Sequence, residues 1–514
     1  MSTPPLDNLE TLRNRLLQGD PRHREKLASQ GKMMVRERLH KLLDAQSFVE
    51  DGLFANCRAD GLPADGVVTG FGSVGGRKVG IVANDSSVKA GSWGARTVEK
   101  MIRLQEMAAS LQVPVFYLVD SAGARITDQV EMFPGRRGAG RIFYLQSRLS
   151  GKIPQICILF GPSAAGGAYI PAFCDLVIMV EKNASMYLGS PRMAEVVIGE
   201  KVSLEEMGGA RMHCSVSGCG DLLAPNEEKA LELARQFFDY LPNETGGVGS
   251  RPSVQGPSSY ENLSPHEPLE SIIPTQPTRA YDMHRVLNAL VDKKSFFELK
   301  PLYAKEIITG FARMQGHPIG VVANQPSVKG GVLFAESANK AARFIQLCSS
   351  YGMPLLFLAD VPGFMVGSQV EKQGIIRAGA KMIHAVSNAA VPKITLIVRK
   401  AFGAGLYAMA GPAFGSEAVL ALPTAQIAVM GAQPALYAVH YHRLSEMSDA
   451  ERRDFLEEQT RLYEKDVELE RLAAELVIDH IVAFEKAREE LCRRFDLAIA
   501  KDRPPREHLT IMPM

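Results

Sequence analysis

The chain has 514 residues, a length at which a single hydrophobic core usually gives way to two domains. Hydrophobic residues make up 46% of it and charged residues 22%, which is typical of a folded globular protein and excludes a disordered or fibrous one. The 58 basic and 57 acidic residues leave a formal net charge of +1, so nucleic acid is not expected as a partner. Seven cysteines over this length indicate free thiols in a reducing compartment rather than a disulfide scaffold.

The N-terminal residues do not predict a targeting signal, because MSTPPLDNLETLRNRLLQ contains acidic residues and lacks an apolar core. Two long uncharged stretches run from Ile153 to Cys174 and from Ala418 to His442. Proline and glycine interrupt both of them, which predicts buried strands, turns and helix starts rather than membrane spans. We therefore expect a soluble, cytoplasmic protein without a membrane partner.

The two halves of the chain repeat each other. VVTGFGSVGGRKVGIVANDSSVKAG, from Val67, and IITGFARMQGHPIGVVANQPSVKGG, from Ile307, are identical at twelve of 25 positions with an offset of 240 residues. The next blocks, VPVFYLVDSAGAR and MPLLFLADVPGFM, keep that offset. After a slip of two residues, IPQICILFGPSAAGGAY, from Ile153, aligns with VPKITLIVRKAFGAGLY, from Val391. A period this long indicates a duplicated domain rather than a solenoid.

A proline-rich stretch separates the repeats. Seven prolines fall between Pro242 and Pro277, among Gly, Ser and Asn and without an apolar period, which is typical of a linker. We expect an N-terminal domain over residues 1–245, a linker over 246–278 and a C-terminal domain over 279–514. Within each half, short apolar runs rich in β-branched residues alternate with helical patterns such as SWGARTVEKMIRLQEMAASL, which predicts α/β architecture.

The residues from Ser448 to Lys501 are densely charged and carry Leu, Phe and Val at helical spacing. This pattern predicts amphipathic C-terminal helices. Such helices either pack on a neighbour or another subunit, or present a solvated face. The pattern leaves both alternatives open.

Two glycine-rich turns follow apolar strands at matching places in the repeats. FGPSAAGGAY ends at Tyr169, with a helix expected to begin near Gly166, and AFGAGLY ends at Tyr407. Small residues leave backbone N–H groups unobstructed, and the start of a helix adds positive potential. Such N–H groups can hold a developing oxyanion, as acyl-transfer and enolate chemistry requires. Close packing of a helix on a strand also uses glycine, but two matched sites favour the oxyanion hypothesis.

Other patterns carry less information. The sequence has no GxxxxGK[ST] phosphate loop, no HExxH, no paired CxxC and no GxSxG. His213, Cys214 and Cys219 lie close together, but their spacing is not that of a zinc ribbon, so no metal is expected. Asp120 and Asp360 end apolar strands before glycine-containing turns, and we expect them to brace those turns rather than act as bases.

At these motifs the chain resembles a known family. DSAGARITDQVEMFPGRRGAGRIFYLQSRLSGKIPQICILFGPSAAGGAYIPA, from Asp120, resembles the N-terminal half of the carboxyltransferase β subunits of biotin-dependent acyl-CoA carboxylases. DVPGFMVGSQVEKQGIIRAGAKMIHAVSNAAVPKITLIVRKAFGAGLYAM, from Asp360, resembles their C-terminal half, and LPTAQIAVMG, from Leu422, is similar to a recurring family block. The resemblance runs from about Arg36 to the C-terminus. The family includes propionyl-CoA, methylcrotonyl-CoA and geranyl-CoA carboxylases.

The resemblance implies an α/β fold of tandem duplicated crotonase-like domains, each a ββα superhelix, assembled into homo-hexamers. It implies transfer of CO2 from carboxybiotin to the α- or γ-carbon of an acyl-CoA through an enolate, with no protein base and no metal. Acyl-CoA would lie on the N-terminal domain, and carboxybiotin, attached to a carrier protein, on the C-terminal domain. Because the chain lacks the AMKM biotinylation motif, the resemblance implies a partner α subunit that supplies biotin carboxylase and biotin carrier.

Carried over position by position, the family's two backbone oxyanion holes fall on Gly166 and Gly167 in the first half and on Ala404 and Gly405 in the second. An ungapped match to the propionyl-type motif GPCAGGAVY would place the first hole at Ala165 and Gly166. The internal repeat favours Gly166 and Gly167. The accompanying candidates for substrate binding are Ala165, Tyr169, Gly403, Tyr407, Lys89 and Arg125. Lys89, Arg125 and Lys329 are candidates either for CoA phosphates or for pairs at a domain interface.

The motifs leave the acyl chain and the direction of the reaction open. AGGAY, GFMVG and GAGLYAMAG resemble the methylcrotonyl-type branch, but Leu406 stands where that branch has asparagine. Gln433 stands where the family frequently has glutamate, and Pro434 follows it. Two alternatives remain: the α subunit of a biotin-dependent acyl-CoA decarboxylase, which runs the same half-reaction backward, and a non-catalytic scaffold paralogue.

Overall fold

The computed structural model describes residues 6–18, 21–59, 61–242, 267–500 and 510–513. The chain divides into two compact units, which we describe separately. Unit 1 comprises Met1–Gly247 together with His508–Met514, and unit 2 comprises Val248–Glu507. Residues 243–266, which hold most of the predicted linker, lie outside the described ranges, so the domain boundaries drawn from the sequence stay a prediction.

Unit 1 is built on an eight-stranded sheet. Its strands are β1 (Val49–Asp51), β2 (Val67–Val74), β3 (Arg77–Asn84), β4 (Val115–Ser121), β5 (Gln155–Ala164), β6 (Leu176–Val180), β7 (Ser185–Tyr187) and β8 (Leu222–Ala224). They lie in the order β1-β2-β3-β4-β5-β6-β8, and β7 pairs with the last residues of β5. β2 pairs antiparallel with both β1 and β3, whereas β3 to β6 and β8 run parallel. β4 and β5 are buried along almost their whole length, as parallel strands covered on both faces are.

Helices connect the strands of unit 1. They are α1 (Leu6–Gln18), α2 (Pro21–Ser29), α3 (Val35–Leu42), α4 (Ala95–Leu111), α5 (Gln129–Met132), α6 (Gly140–Leu149), α7 (Tyr169–Ala172), α8 (Pro191–Ile198), α9 (Leu204–Gly208), α10 (Ala210–Met212) and α11 (Glu227–Tyr240). In α4, Val98, Met101, Leu104 and Ala108 recur at three- and four-residue spacing and are buried, as the helical pattern of this segment predicts.

Unit 2 is built on a second eight-stranded sheet. Its strands are β9 (Phe297–Leu299), β10 (Ile307–Met314), β11 (His317–Asn324), β12 (Leu355–Val361), β13 (Lys393–Phe402), β14 (Ala418–Ala421), β15 (Gln426–Ala428) and β16 (His480–Ile481). Their order is β16-β14-β13-β12-β11-β10-β9, and β15 pairs with the last residues of β13. β9 to β16 therefore take the places of β1 to β8, one for one, so the predicted duplication is visible in the topology of each sheet.

The helices of unit 2 include two that lie before its sheet. They are α12 (Leu269–Ile272), α13 (Met283–Leu290), α14 (Ala335–Ser350), α15 (Ser368–Lys372), α16 (Ile375–Asn388), α17 (Ala404–Ala408), α18 (Ala432–Glu446), α19 (Asp449–Asp466), α20 (Leu469–Ala474) and α21 (Ala487–Ala500). Leu269 and Ile272 of α12 and Met283 of α13 belong to the buried core of this unit. The last residues of the predicted linker segment are thus packed against unit 2.

The charged C-terminal stretch forms the predicted helices, but they differ in burial. α19 has no buried residue, whereas Leu491 and Phe495 of α21 lie in the core of unit 2. Among the residues that the structure describes, no helix is both long and apolar enough to cross a membrane. The two long uncharged stretches instead form β5 and α7 in unit 1, and β14, β15 and the first turns of α18 in unit 2.

Candidate active site: two strand-to-helix turns

In unit 1, β5 leads directly into a tight turn. A 3₁₀ segment spans Ala165–Ala168, and α7 follows it. Ala165 has a positive φ of 52°, which turns the chain out of the strand direction. Ala165 and Gly166 are exposed, whereas Gly167 is buried. The predicted helix start near Gly166 is therefore present as a single 3₁₀ turn that opens the short helix.

In unit 2, β13 leads into the corresponding turn. Gly403 has a φ of 54°, and α17 begins at the next residue. Ala404 is exposed, whereas Gly405 is buried. The pattern of one left-handed residue, one exposed residue and one buried glycine is the same as in unit 1.

The geometry agrees with the alignment of the two turns on their tyrosines. Ala165 and Gly403, which share the positive φ, are separated by the same 238 residues as Tyr169 and Tyr407. The two tyrosine side chains are exposed to the same extent, 47% and 48%. A bulge in the strand pairing precedes each turn, at Val119/Ser121 in unit 1 and at Ala359/Val361 in unit 2. Bulges of this kind re-aim the chain next to active sites.

The turn of unit 2 presents backbone N–H groups that its own helix does not use. The first N–H groups of a helical turn have no acceptor within it. In unit 2, the N–H of Leu406 donates to the carbonyl of Gly403 at 3.1 Å, so the N–H groups of Ala404 and Gly405 come before the first hydrogen bond of the helix. In unit 1, the N–H of Tyr169 donates to the carbonyls of Gly166 and Gly167. The paired N–H groups of Ala404 and Gly405 can hold an oxyanion.

Gly403 cannot be one of these donors, because its N–H already donates to the carbonyl of Ala428 in β15 at 3.0 Å. Its part in the site is the positive φ that places Ala404 and Gly405. The equivalent residue in unit 1, Ala165, also has a positive φ. The shared positive φ supports the alignment of Gly166 and Gly167 with Ala404 and Gly405, and the choice between the two holes in unit 1 stays a prediction.

The second residue of the turn is packed more closely in unit 2 than in unit 1. A Cβ placed on Gly405 would lie 2.8 Å from Cγ2 of Val361, at the end of β12. A Cβ on Gly167 would lie 3.6 Å from the indole of Trp93, an ordinary contact. Ser163 Oγ also donates to the carbonyl of Gly167 at 2.9 Å, which fixes the turn to β5.

The first residue of each turn faces open space. A Cβ placed on Gly166 would have no atom within 4 Å, and Ala404 already carries an exposed Cβ. A ligand can thus approach both turns from the exposed side. Tyr169 packs edge-on against Phe143 at 6.1 Å, and Tyr407 packs against Phe414 at 5.5 Å between ring centroids.

Asp120 ends β4 in a buried ion-pair cluster. Its carboxylate lies 2.8 Å from Nζ of Lys32 and 3.2 Å from the guanidinium of Arg38. Arg38 is 1% exposed and also binds Glu227 of α11 at 2.7 Å. Asp120 therefore braces the end of the strand, as the sequence predicts, and is fully engaged by cations.

Asp360 ends β12 in the equivalent position but has different partners. Nε of Arg399 donates to it at 2.9 Å, and the hydroxyl of Tyr281 donates at 2.8 Å. Burial, with the nearby charge of Asp360, raises the pKa of Tyr281 well above its ordinary value, so this phenol stays a donor. Sequence reasoning missed all four cationic and phenolic partners of the two aspartates, because they come from elements distant in the chain.

Two buried lysines escaped the sequence analysis although they are related by the repeat offset. Nζ of Lys340 donates to four backbone carbonyls, those of Lys300, Tyr303, Ala304 and Ile307, at 2.7–3.3 Å. Lys100 donates in the same way to the carbonyls of Ala64 and Val67. Burial lowers the pKa of Lys340 to about 7 and that of Lys100 to about 8. Because Lys100 and Lys340 are 240 residues apart, the repeat offset could have identified them as an equivalent pair in the sequence.

Lys89 and Arg125, the cations proposed from the sequence, lie in different settings. Lys89 is exposed and has a φ of 47°, as has its counterpart Lys329. The Lys329 ammonium lies 4.3 Å from the ring centroid of Phe334. Arg125 is only 9% exposed, lies 2.5 Å from the carboxylate of Asp65, and donates to the carbonyl of Ser92 at 2.9 Å. This geometry favours a structural role for Arg125.

The sequence differs from the usual family pattern at Gln433 and Pro434. Both residues lie in the first turn of α18, which begins at Ala432. Proline is tolerated in a first turn, because the N–H it lacks has no acceptor there.

Within the described part of the chain, no group of three or more His, Cys, Asp and Glu side chains is placed to hold a metal ion. His213, named as a weak metal candidate, instead has Nε2 2.8 Å from the carbonyl of Met186.

Comparison with known proteins agrees with the motifs. Residues 26–511 match the family described as the carboxyl transferase domain. An uncharacterized carboxylase of Bacillus subtilis, YngE, is 57% identical over 484 residues, which cover 94% of each protein. The biotin-dependent 3-methylcrotonyl-coenzyme A carboxylase beta1 subunit of Mycobacterium tuberculosis is 42% identical over 439 residues, 84% of this chain and 81% of that protein.

The crystal structure of transcarboxylase 12S, with methylmalonyl-coenzyme A and methylmalonic acid bound, matches with a TM-score of 0.89 at 35% identity. The match covers 100% of this chain and 99% of that chain. It confirms the predicted fold of tandem duplicated crotonase-like α/β domains. The chain therefore belongs to the carboxyl transferase domain family and is a carboxyltransferase of the acyl-CoA carboxylase type.

Proposed function

We propose that this chain transfers a carboxyl group between biotin and an acyl-CoA, with each of the two turns acting as one oxyanion hole. The N–H groups of Gly166 and Gly167 would hold the oxygen of the acyl thioester, and those of Ala404 and Gly405 the ureido oxygen of biotin. The observation that carries the proposal is the repeated geometry of the turns, with φ of 52° and 54° at equivalent positions before an exposed residue and a buried glycine.

The residues of unit 2 fit the ureido group of biotin. That group offers one oxygen acceptor, and Ala404 and Gly405 offer two adjacent backbone donors at the start of a helix. When bound, biotin supplies the carboxyl group and a nitrogen that can take a proton. The part of this chain is to hold the oxygen and to stabilise the negative charge that grows on it. Because the turn is fixed by β13 and β15, its donors need no rearrangement as that charge develops.

The residues of unit 1 would do the same for the acyl group. Removal of the proton from the α-carbon, or from its vinylogous γ-carbon, places negative charge on the thioester oxygen. The N–H groups of Gly166 and Gly167 would stabilise this enolate by roughly 3–4 kcal/mol if they act as typical oxyanion-hole donors. Asp120 is engaged by Lys32 and Arg38, which supports a reaction without a carboxylate base from this chain.

We also propose a homo-hexamer and a biotin-bearing partner. The transcarboxylase 12S neighbour is described as a hexamer, and its 99% coverage by this chain supports the same assembly. This chain has no AMKM motif, so a partner that carries biotin carboxylase and biotin carrier would deliver the biotin.

The first experiment is reverse carboxyl transfer with free biotin. The purified protein is mixed separately with malonyl-, methylmalonyl- and methylglutaconyl-CoA, and the decarboxylated CoA product is followed. Turnover with one of them is expected and would also name the substrate class. Because Trp93 is the single tryptophan and packs beneath Gly167, its fluorescence reports binding of the acyl-CoA independently of turnover.

Gly166→Val and Ala404→Val test the assignment of the holes. Each should lower turnover at least about 100-fold, because the bulk blocks the approach to one pair of donors. Neither should unfold the protein, since both positions face open space. Gly140→Val is the matched control, because a Cβ there also meets nothing within 4 Å. Full activity in both turn variants would contradict the proposal. If the wild-type protein turned over none of the three substrates, this would favour a substrate with a longer acyl chain or a non-catalytic scaffold paralogue.

A further inference from the structure

Unit 2 contains a cavity of about 260 Å³ close to the Ala404 turn. It lies between the residues that precede α13, the last residues of β13 and the connection from β14 to β15. The proposed transfer of the carboxyl group uses the backbone N–H groups of the turn. It leaves the polar side chains that line this cavity without a role in the chemistry.

The lining of the cavity carries excess positive charge. Arg399 and Lys400 both line it, and no acidic side chain among the residues that the structure describes does so. Arg399 binds the carboxylate of Asp360 at 2.9 Å. That carboxylate also accepts hydrogen bonds from the hydroxyl of Tyr281 at 2.8 Å and from the backbone N–H of Lys400 at 3.2 Å. One carboxylate, already shared among three donors, cannot neutralise both cations.

Arg399 has one nitrogen left for a ligand. The residue is only 4% exposed, and buried charged groups are normally hydrogen-bonded throughout. Nε donates to Asp360, and Nη1 donates to the backbone carbonyls of Gln276 at 3.2 Å and of Arg279 at 2.8 Å. Within the described ranges, Nη2 has no acceptor. A buried guanidinium that lines a cavity with one nitrogen unpaired indicates a site for an anion.

Lys400 provides the second cation. It is half-buried, and its ammonium forms no hydrogen bond or ion pair with any residue that the structure describes. Burial lowers the pKa of Lys400, and the charge of Arg399 adds to this effect against the opposing charge of Asp360. A bound anion would offset the cost of keeping this ammonium charged. Thr275 and Gln426 line the same cavity and add a hydroxyl and an amide as further donors.

The two cations are present in one repeat only. At the offset of 238 residues that aligns the turns, Gly161 and Pro162 of β5 stand in place of Arg399 and Lys400. The turn of unit 1 forms without such a pair, so the turn itself does not require it. The pair therefore serves something specific to unit 2.

The size of the cavity limits the ligand. Pockets for drug-sized molecules have volumes of roughly 300–1,000 Å³, and one water takes about 30 Å³. A cavity of about 260 Å³ therefore suits a small ion with a few waters rather than a nucleotide. Lys400 precedes Gly403 by three residues, about 10 Å along an extended strand, so the ion would lie beside the turn and not on its N–H groups.

We propose that this cavity binds a small oxyanion, such as phosphate or bicarbonate, through Arg399 and Lys400. Nη2 of the guanidinium presents two N–H donors, and the ammonium presents three. The bound ion would neutralise the excess charge at the ends of β13 and β15, the two strands that carry the Ala404 turn. This site goes beyond the proposed function, because the transfer of the carboxyl group does not require the ion.

The test uses the full-length protein and two probes, inorganic phosphate and bicarbonate, each compared with chloride at equal ionic strength. At tenfold above its Kd, an oxyanion that binds should raise Tm by about 2–4 °C more than chloride does. Isothermal titration calorimetry should give one site per chain. The probe that binds more tightly shows whether the site prefers a tetrahedral or a planar ion. Because binding is measured without turnover, the result does not depend on the proposed carboxyl transfer.

Lys400→Gln should weaken binding of the oxyanion at least tenfold. Lys293→Gln is the matched control, because Lys293 is an exposed lysine of the same unit and does not line the cavity. It removes the same charge and should leave the affinity unchanged. Arg399 is not substituted, because its loss would leave Asp360 buried without its cation.

Gln426→Glu provides a second readout of opposite sign. Gln426 begins β15 and lines the cavity, and glutamate has nearly the same shape. A carboxylate there would take the place of the oxyanion, so Tm in chloride should rise and the response to the added oxyanion should disappear. A merely structural role of Gln426 would instead lower Tm.

Three results would overturn the proposal. The first is that neither probe raises Tm more than chloride does. The second is that Lys400→Gln binds the oxyanion as the wild type does, or that Lys293→Gln loses as much affinity, since the ion would then bind elsewhere or through general charge. The third is a lower Tm of Gln426→Glu in chloride, because the cavity would then not lack negative charge. This variant keeps the test decisive if Lys400→Gln fails to fold.

Discussion

Ala165 and Gly403 show what the turns demand of single residues. Both have a φ near 50°, but only Gly403 lacks the Cβ that this conformation crowds. An L-residue in this region is strained by about 1–2 kcal/mol. Such strain is retained where the surroundings fix the chain and the resulting geometry is used. Here the geometry used is the change of direction that exposes the N–H groups of the following two residues.

Gly405→Ala should damage the second turn. The new Cβ would meet Cγ2 of Val361 at 2.8 Å and Cα of Gly363 at 3.2 Å, and neither a valine nor the backbone can move aside easily. We expect a loss of about 1–3 kcal/mol of stability from overpacking. Carboxyl transfer should fall as well, because α17 and its N–H groups must shift. Thermal unfolding and the reverse assay with free biotin measure the two effects.

Gly167→Ala is the matched control for that change. Its Cβ would make ordinary contacts, 3.6 Å with the indole of Trp93 and 3.7 Å with Oγ of Ser163, so its loss of stability should be clearly smaller. Combining Gly405→Ala with Val361→Ala should restore part of the activity by removing the closest contact. A Gly405→Ala protein as stable and as active as the wild type would contradict this account of the turn.

At the scale of elements, the two repeats brace the same strand end in different ways. In unit 1 the cations for Asp120 are Lys32 and, from α3, Arg38, which lie 88 and 82 residues earlier in the chain. In unit 2 the cation for Asp360 is Arg399, on the adjacent strand. The position equivalent to Arg399 in unit 1 is Gly161, where a Cβ would lie 1.9 Å from the carboxylate of Asp120. A glycine there leaves room for the carboxylate of Asp120 and for the ammonium of Lys32, which would lie 2.9 Å from that Cβ.

These elements show what the sequence could and could not predict. The repeat offset located both aspartates, and their place after apolar strands indicated a bracing role, which the ion pairs bear out. The identity of the cations could not be predicted, because Arg38 and Arg399 do not occupy equivalent positions.

A histidine in α13 gives unit 2 a predictable response to pH. Nε2 of His284 lies 3.0 Å from Glu298 in β9, and Nδ1 lies 2.8 Å from Asp282. The hydrogen bond to Glu298, opposed by burial and supported by Asp282, raises the pKa of His284 to about 9. Because this value exceeds the ordinary 6.5, the stability from the protonated form is complete below pH 6.5 and is lost as the pH rises through 9.

His284→Gln should therefore flatten the pH dependence of unfolding between pH 6.5 and 9. The side chain is 34% exposed, so screening by solvent limits the difference to about 1 kcal/mol. Thermal unfolding across this range measures it, with the exposed His384→Gln on α16 as the control that should keep the wild-type slope. Parallel profiles for wild type and His284→Gln would show that the histidine is not charged in this cluster.

At the scale of the whole chain, the duplication explains most of what the sequence could predict. A repeat of three blocks, with an offset of 240 residues that slips by two in the last block, predicted two α/β halves, and the two sheets have the same strand order. The family motifs predicted the chemistry, and the match over residues 26–511 confirms it. The assignment of Gly166, Gly167, Ala404 and Gly405 to the holes stays a prediction that the repeated geometry supports. The repeat offset could not predict structural features that are present in only one of the two repeats.

The C-terminal residues are such a feature, because they belong to unit 1 although they follow unit 2 in the chain. Ile511 is buried, and Oγ of Ser150 at the end of α6 both donates to its carbonyl at 3.0 Å and accepts from its N–H at 3.1 Å. A buried isoleucine contributes about 1.5–3 kcal/mol, and two hydrogen bonds add to it.

Removal of residues 510–514 should therefore lower the melting temperature of unit 1, with a smaller decrease for Ser150→Ala. Thr510→Ala, at an exposed neighbouring position, should leave it unchanged. Equal melting of the truncated and full-length proteins in differential scanning calorimetry would show that these contacts do not stabilise unit 1.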